Sequence, residues 1–231
     1  MFQRSTKDIK TILARYHVSP KQSLGQHFLV NDQIIQQLVK SAQINENDIV
    51  LEIGMGFGAV TIPLAHKSKY IYSVEIEPTL IHSFRRENPQ LMDRVIPVPH
   101  DILTLNVANL FEQRDFTSAK YHVVGAIPYN ITSPIVHKFL TEHPLPHDIT
   151  LLIQKEVAEK MVAQPPNASY LSNFVKFLGE GKISKNNVPP SAFFPPPRVL
   201  SAVIRIDVAP KYPDISPAAF SDFLHTGFQH P

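Results

Sequence analysis

The chain has no cysteine among its 231 residues, which excludes disulfides and thiol chemistry and fits a reducing compartment. It has no apolar run near the roughly 20 residues that a membrane helix needs. Its first ten residues, Met1 to Lys10, are polar and charged, so no signal peptide is read there. No Gly-Lys-Ser/Thr triplet occurs, and a P-loop is thereby excluded. Internal repeats are also missing, and no pattern of metal ligands stands out. These absences leave a single-chain globular protein, expected in the cytoplasm, large enough for one full domain and part of a second.

Two things are present in excess. Proline numbers 21, clustered at Pro189-Pro190, Pro195-Pro196-Pro197, Pro210, Pro213 and Pro217, where apolar strands on either side argue for ordered loops. Charge is uneven: the net value is only +2, yet Arg4, Lys7, Lys10, Arg15 and Lys21 stand against Asp8 before residue 31, a local surplus of 5 − 1 = +4. Such a segment suits a polyanion, or is simply the solvated face of a helix.

Hydrophobic periodicity predicts alternating helices and strands. Ser5-Thr6-Lys7-Asp8 reads as a capping box opening a short amphipathic helix through Tyr16 that Pro20 ends. Residues 22–29 read as a loop. Asn31-Asp32 caps a helix to about Ala42, with Ile34, Ile35, Leu38 and Val39 facing inward. Strands follow at 48–53, 70–75, 95–99, 121–125, 149–154 and 199–208. Helices fall at 59–66, 78–87, 133–140 and 155–163, and a further element at 171–177. The alternation predicts an α/β fold with a doubly wound, mostly parallel sheet.

The chemistry gathers at strand ends. Leu51-Glu52-Ile53-Gly54-Met55-Gly56-Phe57-Gly58 is a strand that breaks into a glycine turn. Val74-Glu75-Ile76-Glu77 is a second strand with an acid at its end, placed to accept hydrogen bonds from ribose hydroxyls. The spacing is Gly-x-Gly-x-Gly rather than the Gly-x-Gly-x-x-Gly of dinucleotide folds. Glu52 before the turn repels phosphate and suits an ammonium-bearing ligand, which points to S-adenosylmethionine. The same residues also describe a tight βα turn of any α/β protein. Asp101, after the third strand, can accept from an adenine amine or cap a turn. Tyr129 in Ile127-Pro128-Tyr129-Asn130 offers a flat face for an extruded base, where a lone tyrosine more often packs or lies at the surface, and Phe193 in its proline-rich loop supplies the other half of a sandwich or merely packs.

Seven runs in order, over roughly residues 15–207, resemble the ribosomal RNA adenine dimethyltransferases. They are Leu24-Gly25-Gln26-His27-Phe28-Leu29, the glycine turn, the Glu75 strand, His100-Asp101-Ile102-Leu103, Pro128-Tyr129-Asn130-Ile131, Gln154-Lys155-Glu156-Val157, and Pro189-Pro190-Ser191-Ala192-Phe193 through Ser201-Ala202-Val203. Within that family the chain is most similar to the small-subunit dimethyladenosine transferases, with the erythromycin-resistance methyltransferases as relatives. The resemblance implies a Rossmann-like methyltransferase domain over 1–208. It also implies a linker and the beginning of a truncated helical RNA-binding domain over 209–231. It implies transfer of two methyls from S-adenosylmethionine to adenine amines of small-subunit ribosomal RNA in a pre-ribosomal particle, by a monomer, away from membranes and without metal. Gln26, His27, Leu29, Glu52, Gly54, Gly56, Glu75, Ile76, Asp101, Ile102 and Ala126 would hold the cofactor. Ala126, Ile127, Pro128, Tyr129 and Phe193 would hold the target base, with the Ala126 and Ile127 carbonyls accepting from its amine.

One departure stands out. The family pattern before the Pro-Tyr pair is Asn-(Leu/Ile), and here it is Ala126-Ile127. Alanine cannot accept the amine hydrogen bond that asparagine accepts, so activity is expected to be impaired unless main-chain carbonyls suffice. A non-catalytic nucleic-acid-binding relative, acting in ribosome assembly or transcription, is the alternative reading. The Pro-Tyr-Asn run argues against a small-molecule methyltransferase.

Overall fold

The computed structural model describes residues 6–21, 24–112, 120–212 and 214–229. Ser5 of the expected capping box and Arg4 of the basic segment lie outside them. Nine helices and nine strands are described. Seven strands form one sheet, ordered β4-β3-β2-β5-β6-β9-β7. They are β2 (Ile49–Ile53), β3 (Tyr70–Glu75), β4 (Val95–Pro99), β5 (Tyr121–Ala126), β6 (Asp148–Gln154), β7 (Gly179–Val188) and β9 (Ser201–Val208). The first five in spatial order run parallel, β9 is antiparallel to β6, and β7 is antiparallel to β9. Strand β2 lies between β3 and β5, so successive crossovers diverge there and leave a crevice at the strand ends.

The parallel strands are apolar throughout because both faces are covered. Leu51, Val123, Ile149, Leu151 and Ile204 pack in one buried cluster with helices α6 (Thr132–Thr141), α7 (Lys155–Val162) and α8 (Tyr170–Leu178). Val50, Val124, Leu152 and Val203 pack in the other with α2 (Asp32–Ser41) and α3 (Thr61–Ala65). Helix α2 starts where the sequence predicts: the Asn31 side chain accepts from the Ile34 N–H, and Ile34, Ile35, Leu38 and Val39 are buried. Helix α4 (Pro78–Glu87) opens on its proline, as expected.

Four elements differ from the sequence-based expectation. Strand β7 was not foreseen. Its run Gly-Glu-Gly-Lys-Ile-Ser-Lys-Asn-Asn-Val lacks apolar alternation because it is the sheet's edge, mostly exposed, with two register shifts against β9. Residues 28–29 are not loop: β1 (Phe28–Leu29) pairs antiparallel with β8 (Phe193–Phe194). Helix α5 (Val107–Glu112) fills a stretch left unassigned. The last strand begins at Ser201, leaving Val199 and Leu200 exposed after the proline run.

Helix α1 (Thr6–Arg15) is held down on α4. Arg15 Nη1 donates to Glu87 at 2.8 Å, Tyr16 Oη donates to the same carboxylate at 2.7 Å, and Lys21 pairs with Glu77. Two of the five basic residues at the front therefore serve packing. At the other end, α9 (Pro217–Gln229) lies on α8, with Phe220 stacked on Phe177 at 3.9 Å and His225 on Tyr170 at 4.3 Å. Among the described residues no helix is long and apolar enough to cross a membrane.

At the start of β6, at the opposite strand ends from the crevice, Asp148 is fully buried. Its Oδ2 accepts from Arg205 Nη2 at 2.9 Å and lies 2.6 Å from His122 Nδ1. Arg205 Nη1 also donates to the carbonyls of Ser41 and Ala42 that end α2. This cation thus joins β6, β9 and α2. Removing it leaves a buried carboxylate short of its partner, which costs about 3–5 kcal/mol. Arg205→Met should lower the unfolding free energy by that amount in urea titrations. A loss under about 1 kcal/mol, the scale of an exposed pair, would show the network to be incidental.

Candidate active site

Each strand end contributes one part of the crevice. After β2 the backbone turns through Gly54, Gly56 and Gly58, all at positive φ. A side chain at Gly58 would be strained at φ +82° and would meet the Phe84 ring at 2.4 Å. The turn is therefore both left-handed and tightly backed. After β3, Glu75 is 7% exposed. Its Oε2 accepts from the Gly56 N–H at 2.9 Å and its Oε1 from the Glu77 N–H at 3.0 Å. Burial pushes the Glu75 carboxyl above its ordinary range, and the backbone donors oppose that shift. After β4, Asp101 Oδ1 accepts from the Leu103 N–H at 2.9 Å, closing a turn while its side chain faces the crevice. After β5 come Ala126, Ile127 and Pro128, then a single 3-10 turn carrying Tyr129.

These ends surround a cavity of about 230 Å³. Gln26, His27 and Leu29 line it from one side, Gly54, Gly56, Glu75 and Ile76 from the floor, and Asp101 and Ile102 from the next strand end. Ala126, Ile127, Pro128, Tyr129 and Phe193 complete the wall. The β1–β8 ribbon explains how Gln26-His27 and Phe193, far apart in sequence, come together: Phe28 pairs with Phe194 and Leu29 with Phe193. Tyr129 Oη shares a hydrogen bond of 2.7 Å with Ser201 Oγ, which fixes the ring. His27 Nδ1 lies 2.7 Å from the Pro195 carbonyl, and its ring is near-parallel to that of Tyr129, centroids 6.0 Å apart.

One expected site residue is placed elsewhere. Glu52 is fully buried behind the turn and does not line the cavity. The parallel register sets it opposite Ser73, whose hydroxyl donates to Oε2 at 2.5 Å, and Thr61 Oγ1 donates from α3 at 2.7 Å. Its carboxyl fastens two strands and a helix rather than meeting a ligand. Sequence reasoning also passed over Ile9, His100 and Asn130, all of which line the cavity. Ile9 belonged to an apolar stripe that signalled burial without saying against what. His100 and Asn130 flank expected site residues in the same strand-end runs.

Electrostatically the cavity is one-sided. Glu75 and Asp101 line it, and no Lys or Arg does among the described residues. Such a site fits a ligand with positive charge and hydroxyls, and it disfavours a pyrophosphate, which needs cations or an open helix terminus. Strand order, glycine turn and strand-end acid define a Rossmann-like methyltransferase fold.

The comparisons agree. The family described as "Ribosomal RNA adenine dimethylase" matches residues 18–229. "Ribosomal RNA small subunit methyltransferase A" of Alkaliphilus oremlandii is 36% identical over 206 residues, 88% of this chain and 71% of its own length. Among solved structures, a dimethyladenosine transferase from Plasmodium falciparum superposes with TM-score 0.77 at 26% identity, covering 88% of this chain and 71% of the other. The 23S rRNA methyltransferase ErmE gives TM-score 0.72 at 28% identity, covering 87% and 79%. The chain belongs to the ribosomal RNA adenine dimethylase family.

Glu52 has a measurable consequence. Burial pushes its carboxyl up to about 8 from an ordinary 4.5, with the Ser73 and Thr61 hydroxyls opposing the shift. Between those two values the unfolded chain ionises while the folded chain keeps its proton. Stability attributable to this group is therefore full below the lower value and falls as pH rises through the window. Glu52→Gln, which keeps an acceptor for the hydroxyls, should lose less stability than the parent between about pH 5 and about pH 8 in chemical denaturation. Parallel losses in the two proteins would place the ionisation elsewhere.

Proposed function

We propose that the protein transfers two methyl groups from S-adenosylmethionine to the exocyclic amine of adenine in small-subunit ribosomal RNA. The observation that carries the reading is the convergence of Glu75, Asp101 and Tyr129 on one cavity without a lining cation, in a chain of this family. We read residues 1–208 as the methyltransferase domain and Pro217–Gln229 as a helical element that faces RNA. The protein acts, in our reading, as a cytoplasmic monomer on a pre-ribosomal particle.

The residues present fit the cofactor. Glu75 would accept from the ribose hydroxyls while its other lone pairs hold Gly56 and Glu77, and Asp101 would accept from the adenine amine. Gly54 and Gly56 allow close backbone approach, and Ile76, half exposed at the cavity edge, with Ile102 gives an apolar bed for a purine ring. Gln26, His27 and Leu29 would close over the amino-acid end. When bound, the cofactor supplies a methyl group made electrophilic by its sulfonium. The chain's own contribution is positioning. Tyr129, pinned by Ser201, and buried Phe193 would grip the target ring, and the Ala126 and Ile127 carbonyls would accept from its amine. An adenine amine is a poor nucleophile because its lone pair delocalises into the ring, and hydrogen bonding to its protons favours a more tetrahedral nitrogen.

Ala126 is the observation that favours a second reading, a cofactor-binding relative without catalysis. The two readings part in one assay. Unmethylated small ribosomal subunits incubated with the protein and labelled cofactor should yield dimethyladenosine on the first reading and no label on the second.

Binding is tested separately. Saturating S-adenosylmethionine, at a hundredfold excess over Kd, should stabilise the fold by about 2.7 kcal/mol in thermal unfolding. Glu75→Ala removes hydrogen bonds to a charged group, worth about 1.5–3 kcal/mol, and should weaken binding by about 10- to 100-fold in calorimetric titration. An absence of thermal shift at millimolar cofactor would end the cofactor reading.

A further inference from the structure

The rim of the crevice beyond Tyr129 carries two adjacent apolar residues that the fold leaves exposed. Seven large apolar residues are exposed among the described residues; four of them lie at or beyond Tyr212, and the other three sit at the crevice end of the sheet. Ile76 follows β3 and lines the cavity. Val199 and Leu200, 41% and 40% exposed, stand just before β9 and outside the cavity. Single exposed apolar residues are ordinary on a protein surface. This pair is contiguous and its backbone is tied on both sides. The Leu200 carbonyl accepts from the Lys155 N–H at 3.0 Å, Pro197 is buried, and the Pro195 carbonyl lies 2.7 Å from His27 Nδ1. The next residue, Ser201, shares the 2.7 Å hydrogen bond that fixes the Tyr129 ring. Arg198 precedes the pair, exposed and without an ion pair among the described residues. On α7, Lys155 Nζ lies 3.6 Å from Glu159, to which Asn186 also donates at 3.4 Å, and Glu156 is exposed.

We propose that Val199 and Leu200 form an apolar lip that packs against the nucleotide next to the target adenine once that adenine has left its stack, with Arg198 on the adjoining phosphate. The proposal rests on the methyltransferase reading above. A base drawn into a pocket leaves the face of its neighbour bare, and the unstacking is a cost that extrusion must meet. Apolar side chains set at such a step cover the bared face and hold the strand open. The lip is placed for the neighbour and not for the target. The target ring belongs against Tyr129, which lines the cavity, and the lip begins one residue from the serine that holds Tyr129, outside that cavity. A stacked RNA strand presents flat ring faces beside a line of phosphates. Two exposed apolar residues next to a cation free of any ion pair match both halves of that surface. Lys155, engaged with Glu159, offers a weaker second cation on the same rim.

The experiment compares the parent with the double variant Val199→Ser, Leu200→Ser and with Leu200→Met and Arg198→Gln on unmethylated small ribosomal subunits. The double variant should keep S-adenosylmethionine affinity and lose about 10- to 100-fold in kcat/KM, the range of one stacking contact with a base. Leu200→Met keeps an apolar surface of similar volume and should stay within about threefold of the parent. Arg198→Gln should weaken subunit binding and lower the slope of log affinity against log salt by about one, as the loss of one phosphate contact does. Independently of rates, a photoactivatable diazirine analogue of leucine at position 200 should crosslink on the bound subunit to a nucleotide adjoining the adenine that the parent methylates. Full kcat/KM in the double variant, a loss in Leu200→Met as large as in the double variant, or crosslinks confined to RNA away from that adenine overturns the lip. An unchanged salt slope in Arg198→Gln overturns the phosphate contact. Should the double variant fail to fold, the crosslink decides alone. A parent that transfers no methyl groups refutes the methyltransferase reading itself and this inference with it. A parent that methylates the subunit while its position-200 crosslinks fall elsewhere refutes only the inference.

Discussion

The crevice depends on one carboxylate. Glu75 ends β3, and its two oxygens accept from Gly56 and Glu77, the loops that follow β2 and β3. Glycines at positive φ are conformationally free in an isolated turn. Here an acid on the neighbouring strand selects one arrangement of them before any ligand arrives. The cost is a charge held at low exposure, met by two backbone donors that burial alone would not provide. The acid that shapes the turn is also the acid that would meet a ribose, so shaping the site and reading the ligand would fall to one side chain.

Around that point the fold works as a frame. The parallel register brings Gly54, Glu75, Asp101 and Ala126 to one edge, because each follows its strand by at most a residue or two. The two-residue ribbon of Phe28–Leu29 with Phe193–Phe194 then folds two distant loops over the edge. Helix α1 adds the last wall, its Ile9 and Leu13 packed among Phe28, Phe57 and Leu80. Arg15 at its end and Lys21 in the loop beyond it are drawn into pairs with Glu87 and Glu77. A charge surplus that looks outward in the sequence is thus partly turned inward as a clamp.

Much of this was legible in the residues. The buried strands announced themselves as continuous apolar runs, and the strand-end clustering of Gly54, Glu75, Asp101 and Tyr129 followed from the alternation alone. What escaped has physical reasons. Strand β7 is an edge, so its sequence obeys solubility rather than burial. The β1–β8 ribbon is too short to leave a pattern, and its partners are too far apart for local rules to pair them. Glu52 was read as facing a ligand because it precedes the turn. In a parallel sheet, side chains alternate between faces, and Glu52 points to the Thr61 side, where hydroxyls satisfy it. Its neighbours Gly54 and Gly56 meet the cavity through backbone, which a sequence can suggest by composition alone.

On the proposed function, Glu75 preorganises this crevice for a ribose-bearing methyl donor. A crystal structure of the protein with S-adenosylhomocysteine tests it most directly. The ribose hydroxyls should lie within hydrogen-bond reach of Glu75, with the Gly56 N–H still bonded to the same carboxylate and Asp101 against the purine. A ligand seated away from the end of β3, or a Glu75 side chain that releases Gly56 to bind it, would show that Glu75 does not hold the site ready for it.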